Sequence, residues 1–228
     1  MPFVIDPPAQ PALPVTGTDA LFPVRRIFCV GRNYAAHARE MGADAKEPPF
    51  FFMKPADAIA PQNAPLPFPP QTEDLHHEAE LVVALGQGGR DILAADALGH
   101  VYGYAAGIDL TRRDAQAVAK EMRRPWDLSK GFDNSAAIGP VHPAADVGHL
   151  TDGGIRLTVS GERRQDGTLS DMIWPVADII AFASGVVTLA QGDLIMTGTP
   201  AGVGPLRRGD TATVEIDGLA PFSVSVAG

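Results

Sequence analysis

The chain has 228 residues, 45% of them hydrophobic and only 20% charged, which is enough apolar material for a sizeable core in one large domain or two small ones. Its formal net charge of −9 excludes a general nucleic-acid surface and binding to an anionic membrane, since both demand a basic excess. Its single cysteine excludes an intramolecular disulfide and a CxxC site, and no stretch approaches the roughly 20 apolar residues of a membrane span, so the cytosol is the expected compartment.

Residues 1–23 are rich in proline (MPFVIDPPAQPALPV) and cannot hold a helix. An extended arm is expected there, lying over the domain or a neighbouring subunit, with residues 24–228 forming a single catalytic domain. Cys29, in the short strand Ile27 to Val30, reads as a buried small hydrophobe. GRNYAAHAREMG follows, and its helix formers and closing Gly42 predict about two helical turns. On such a helix His37 and Glu40 share a face, so the carboxylate can orient the imidazole as a general base toward water; an ordinary surface pair is the alternative. The glycine and proline edges of the segment would suit a mobile lid.

FFFMKP predicts a strand ended by Pro55, and PQNAPLPFPP an extended surface crossing. The next stretch, LHHEAELVVALG from Leu75 to Gly86, sets charge inside an apolar segment. Read with period 2, Glu78 and Glu80 point to one face while Ala79, Leu81, Val83 and Leu85 point to the other. Two carboxylates on a partly buried face must bind a cation, take up a proton or lose stability; solvated strand ends would escape that choice. Asp109 closes the apolar run VYGYAAGID and can bring a third carboxylate into the same cleft. Three carboxylates with no paired His or Cys favour Mg²⁺ or Mn²⁺ over Zn²⁺.

TRRDAQAVAKEM predicts a helix, with Thr111 and Asp114 spaced as a capping box and Arg112 or Arg113 either reaching a substrate carboxylate or solvated, as arginines at a helix start usually are. After a short helical piece near Ala94 to Leu98 and this longer one, Lys130 in LSKGFDNSAAIGP follows Trp126 and precedes an apolar strand, partly enclosed and able to bind a carboxylate, or else a snorkelling surface lysine. Ser129 beside it is a poor Ser-Lys partner, because adjacent strand residues face opposite ways. IRLTVSGERRQ predicts a hairpin turning at Gly161, and PVADIIAFASG a helix from Pro175 to its stop at Gly185. Short strands then recur in GVVTL, DLIMTG, TATVEID and PFSVSV. TGTPAGVGP lacks the ending of a phosphate-binding loop; its glycines permit close backbone approach to a small ligand, with Thr199 offering a hydroxyl, or simply make a tight turn. His76, His77, His100, His142 and His149 show no metal-ligand spacing. Many short strands with a few short helices predict an α+β fold built on a β-sandwich or roll.

Taken together, VGRNYAAHAREMG, FMKP, HHEAELVVALG, GIDLTRRD, SKGFD and MTGTPAGVG resemble the fumarylacetoacetate hydrolase family, in its single-domain branch. Within it, VRRIFCVGRNYAAHAREMG is most similar to the fumarylpyruvate hydrolases of aromatic-acid degradation. The resemblance implies a mixed β-sandwich roll and a homodimer. It implies Glu78, Glu80 and Asp109 as metal ligands, His37 and Glu40 as a catalytic lid dyad, Lys130 and Thr199 as substrate contacts, and Arg113 and Gln116 near a metal-bound keto acid. A far carboxylate would fall to one of Arg112, Arg113, Arg123 and Arg124. The implied reaction is Mg²⁺- or Mn²⁺-dependent hydrolysis of the C–C bond of an acylpyruvate, with 3-fumarylpyruvate giving fumarate and pyruvate. The rivals are oxaloacetate decarboxylation or ketonisation of a 2-hydroxydienedioate on the same site, and a non-catalytic keto-acid binding protein.

Overall fold

The computed structural model describes residues 3–35, 48–62 and 64–228. Its strands are β1 (Ala12–Pro14), β2 (Leu21–Pro23), β3 (Arg26–Val30), β4 (Phe51–Lys54), β5 (Leu75–His77), β6 (Ala79–Leu85), β7 (Val101–Asp109) and β8 (Thr111–Arg112) in the first half. The second half adds β9 (Ala136–Ile138), β10 (His142–Pro143), β11 (Gly154–Val159), β12 (Glu162–Thr168), β13 (Asp193–Met196), β14 (Gly204–Pro205), β15 (Thr211–Ile216) and β16 (Phe222–Ser225). The α-helices among the described residues are short: α1 (Ala94–Ala97), α2 (Arg113–Glu121), α3 (Asp127–Lys130), α4 (Ala144–Val147) and α5 (Val176–Val186).

β6 is buried along its whole length, which places it inside the largest sheet, in the order β10-β7-β6-β13-β3-β4 with β9 also paired to β7. Only β13 and β3 run parallel within it. Along β6 the alternation separates two cores: Ala79, Leu81, Val83 and Leu85 enter one, Val82 and Ala84 the other. The first core is closed by the antiparallel sheet β12-β11-β15-β16, through Ile155, Leu157, Val214 and Ile216, and by the apolar face of α5, through Val176, Ile179, Ile180 and Ala183. The second is closed by the proline-rich segment. Leu13 of β1 and Phe22 of β2 lie opposite one another in a hairpin and bury against Ile27, Cys29, Leu194 and Met196. This is the mixed β-sandwich roll with a few short helices that the sequence implied, and Cys29 is the buried hydrophobe expected.

Four local expectations need correction. The chain from Leu75 to Gly86 is not one strand but two, broken at Glu78. GVVTL is not a strand: α5 runs through Gly185 to Val186, because nothing at Gly185 demands a positive φ, and Val187 is the first extended residue. Thr111 does not cap α2. It is held in β8 opposite His76, while the Asp114 carboxylate accepts from Thr72 Oγ1 at 2.7 Å and from the Glu73 amide at 3.1 Å, so strand pairing wins over the capping box. Lys130 does precede an apolar strand, β9, but Ser129 and Lys130 themselves lie on a single helical turn, α3, and are not adjacent strand residues.

Candidate active site

The antiparallel ribbon β6–β7 does not stop at the edge of the large sheet. It bends at Glu78 and Leu110 and continues as β5–β8, which belong with β14 to a separate three-stranded sheet. At this corner the Asp109 amide donates to the Glu78 carbonyl at 2.8 Å, so the two acids sit across the ribbon from each other. Glu80 follows one pleat later. The result is three buried carboxylates, Glu78, Glu80 and Asp109, whose oxygens lie within 4.8 Å of one another.

Cations answer two of the three. Lys130 Nζ donates to Glu78 Oε2 and to Asp109 Oδ2, both at 2.7 Å. Arg113 Nη2 meets Glu78 Oε1 at 2.6 Å and its Nη1 donates to Gln116 Oε1 at 2.7 Å. Lys54, fully buried at the end of β4, pairs with Asp109 Oδ1 at 2.8 Å and donates to the carbonyls of Leu110 and Lys130. Burial alone would lower the pKa of Lys130, but Asp109 and Glu78 outweigh it and raise it. Glu80 has no ion pair among the described residues and accepts one backbone N–H, from Gly198 at 2.7 Å. Burial first, then the charges of Asp109 and Glu78, push its carboxyl well above the ordinary range. A hard divalent ion fits this arrangement, because all donors are oxygens and one buried carboxylate still lacks a cation.

Two braces hold the TGTP loop against this corner. Asn33, of the GRNY motif and fully buried, donates from Nδ2 to the carbonyls of Thr197 and Trp174 and accepts the Trp174 N–H on Oδ1 at 2.7 Å. Gly198 sits between Asn33 and Glu80 with φ at +94°, and a Cβ there would lie 2.8 Å from Asn33 Cβ. Gln165, on β12, accepts the Ala79 N–H and the His77 ring N–H on Oε1, and donates from Nε2 to Thr199 Oγ1 and the Pro200 carbonyl. Since Oε1 can only accept, His77 carries its proton on Nδ1; burial lowers its pKa to about 4, so it stays neutral. Thr199 Oγ1 is therefore already engaged by Gln165.

The carboxylate corner opens, through Glu78, on a cleft lined by Arg32, Glu78, Arg113, Gln116, Lys120, Trp126 and Lys130, narrowed to about 20 Å³ by the side chains that reach Glu78. A larger cavity of about 680 Å³ lies beyond His77, between the β11–β12 hairpin and β14, but none of the three carboxylates lines it, so the chemistry belongs to the cleft. Of the residues named from the sequence, Glu78, Glu80, Asp109, Arg113, Gln116 and Lys130 converge, and Thr199 stands behind them. His37 and Glu40 lie outside the described residues. Arg112 is laid over Phe132 and donates to Leu128, and Arg123 and Arg124 are exposed. Sequence reasoning passed over Lys54, Asn33 and Gln165. Lys54 carried the same signal as Glu80, a charge at the end of an apolar run; the two amides carried none.

A curled mixed sheet that presents three buried carboxylates and two lysines at its corner defines a metal-dependent enzyme. The chain belongs to the fumarylacetoacetate hydrolase family: residues 26–227 match the model of the fumarylacetoacetate (FAA) hydrolase C-terminal domain. The crystal structure of fumarylpyruvate hydrolase from Pseudomonas aeruginosa in complex with Mn²⁺ and pyruvate superposes with a TM-score of 0.97 at 50% identity, covering 99% of each chain. Oxaloacetate tautomerase YcgM of Escherichia coli (strain K12) is 41% identical over 86% of this chain and 90% of its own. A mitochondrial oxaloacetate decarboxylase of Dictyostelium discoideum is 40% identical over the same shares, 86% and 90%.

Proposed function

We propose that the protein hydrolyses the C–C bond of acylpyruvates, with 3-fumarylpyruvate as the substrate that gives fumarate and pyruvate. The observation that carries this reading is the buried set Glu78, Glu80 and Asp109, with one carboxylate lacking a cation, in a chain whose half-identical structural neighbour was crystallised with Mn²⁺ and pyruvate. Mg²⁺ or Mn²⁺, held by these three residues, would supply Lewis acidity toward a 2-keto acid.

The chain's own residues divide the remaining work. Lys130 and Arg113, aimed at the carboxylate corner, place positive charge where a keto acid's oxygens would sit, and the Gln116 amide beside Arg113 offers a further donor. Lys54 neutralises the far side of Asp109 and holds that carboxylate in position. Asn33 and Gln165 fix the TGTP loop so that the Gly198 N–H stays on Glu80. His37, oriented by Glu40, is the proposed base that takes a proton from water for attack on the distal carbonyl. A homodimer remains part of the proposal.

The second reading, oxaloacetate tautomerisation or decarboxylation, is favoured by the two relatives at 40% and 41% identity that carry those names. A panel of acylpyruvates and oxaloacetate, followed by loss of enol absorbance with and without chelator, separates the readings. The proposal expects chelator-sensitive cleavage of 3-fumarylpyruvate that His37→Ala abolishes while Mn²⁺ binding persists. Turnover of oxaloacetate alone, or cleavage indifferent to chelator, would sink it.

A further inference from the structure

Helix α2 carries more than the two side chains already placed at the carboxylates. Arg113, Gln116 and Lys120 stand at i, i+3 and i+7, within one narrow stripe of the helix, and all three line the cleft. Arg113 and Gln116 mark the end of the cleft that touches Glu78. Lys120 lies four residues beyond Gln116, a rise of about 6 Å. Its ammonium rests 5.4 Å from the centre of the Trp126 ring, which is itself packed edge-on against Phe50. Lys120 is half-buried and has no carboxylate partner among the described residues. Glu78 is the only carboxylate lining this cleft among the described residues, against four cations, Arg32, Arg113, Lys120 and Lys130, in a chain whose net charge is −9.

We propose that Lys120 is the specificity-determining residue that receives the distal carboxylate of a 2-keto dicarboxylate lying along α2, with the keto-acid end at Arg113 and Gln116. The aromatic wall fixes the stem of the lysine and excludes water from one side of the ammonium, which strengthens a charge-assisted hydrogen bond to the incoming oxygen. Burial first, and then the neighbouring charges of Arg113 and Arg32, lower the pKa of Lys120 to about 8, as expected of a cation held among cations until an anion arrives. The inference takes its substrate class from the acylpyruvate reading, and it moves the distal contact from the arginines at 112, 123 and 124 to a lysine.

The test uses the Mn²⁺-loaded full chain and two ligands that cannot be cleaved between carbonyls. 2-Oxoheptanedioate has the same spacing between keto acid and far carboxylate as 3-fumarylpyruvate, and 2-oxohexanoate lacks the far carboxylate. Calorimetry should show that the wild type prefers the dicarboxylate. Lys120→Met should weaken the dicarboxylate about 30-fold and the monocarboxylate less than about 2-fold, as loss of one charge-assisted hydrogen bond requires. Lys120→Arg should recover most of the preference. Equal weakening of both ligands, no weakening of either, or no preference in the wild type would overturn the assignment. The two proposals fail separately: a Lys120-dependent preference in a protein that cleaves no acylpyruvate removes the reaction and leaves this site, whereas cleavage without the preference does the reverse.

Discussion

Glu80 and Gly198 form the smallest unit in which fold and chemistry depend on each other. A fully buried carboxylate that accepts one N–H and faces two other acids is unfavourable unless it is protonated or joined by a cation. Glu80→Gln keeps the shape and removes the charge. It should leave the metal-free protein at least as stable as wild type while weakening Mn²⁺ by about 100-fold or more, since a hard cation loses one of its anionic ligands. Melting curves and calorimetry on the same sample check both halves, and unchanged Mn²⁺ affinity would remove Glu80 from the ligand set. Gly198→Ala acts from the backbone side. Its φ of +94° and the 2.8 Å approach to Asn33 Cβ together predict a loss of about 2–4 kcal/mol, read from urea unfolding, with displacement of the N–H that Glu80 accepts.

At the scale of elements, the site is a bent ribbon clamped by a hairpin. β12 reaches the corner through Gln165, whose side chain saturates two donors and two acceptors from β5, β6 and the TGTP loop. Gln165→Leu would strand the Ala79 N–H, the His77 N–H and the Thr199 hydroxyl in a buried place. A loss of about 3 kcal/mol is expected, or about 6–12 °C in melting temperature for a domain of this size, with reduced turnover because that loop carries both Thr199 and the Gly198 N–H that Glu80 accepts. A drop confined to stability would show that the loop holds its place without the clamp. The same elements show what could be read in advance. Glu80 and Asp109 stood out because each is a charge at the edge of an apolar run. The β11–β12 hairpin was legible because Ser160 and Gly161, both at positive φ, make the tight two-residue turn that its pattern asks for. The break at Glu78 was not legible, since alternation continues through it; only pairing with the distant β8 and β14 pulls β5 into another sheet. Thr111 and Asp114 misled for the same reason, a local capping motif overruled by a strand partner. Gln165 is an ordinary polar residue in an exposed-looking strand until tertiary structure buries it.

At the scale of the molecule, the corner would couple metal binding to folding. Its three carboxylates come from β6, β7 and the turn before β6, and the cations that hold them come from β4, α2 and α3, so the pieces meet only when the large sheet, the small sheet and the short helices have all assembled. An ion that binds this arrangement and not the unfolded chain must stabilise the whole fold by mass action, by about 2.7 kcal/mol at a free concentration 100 times its dissociation constant. For a chain of 228 residues that corresponds to a rise of about 5–11 °C in melting temperature. The rise should vanish with excess chelator, and it should be nearly absent in Glu80→Gln. Lys120→Met should retain it, because that lysine lies a turn beyond Gln116 on α2, makes no ion pair with the three carboxylates, and is proposed to serve the ligand instead of the ion. Scanning calorimetry of the three proteins with and without Mn²⁺ reads all of this at once. Equal shifts in wild type and Glu80→Gln would place the stabilising ion somewhere other than this corner, and the keto-acid chemistry argued from it would fall with it.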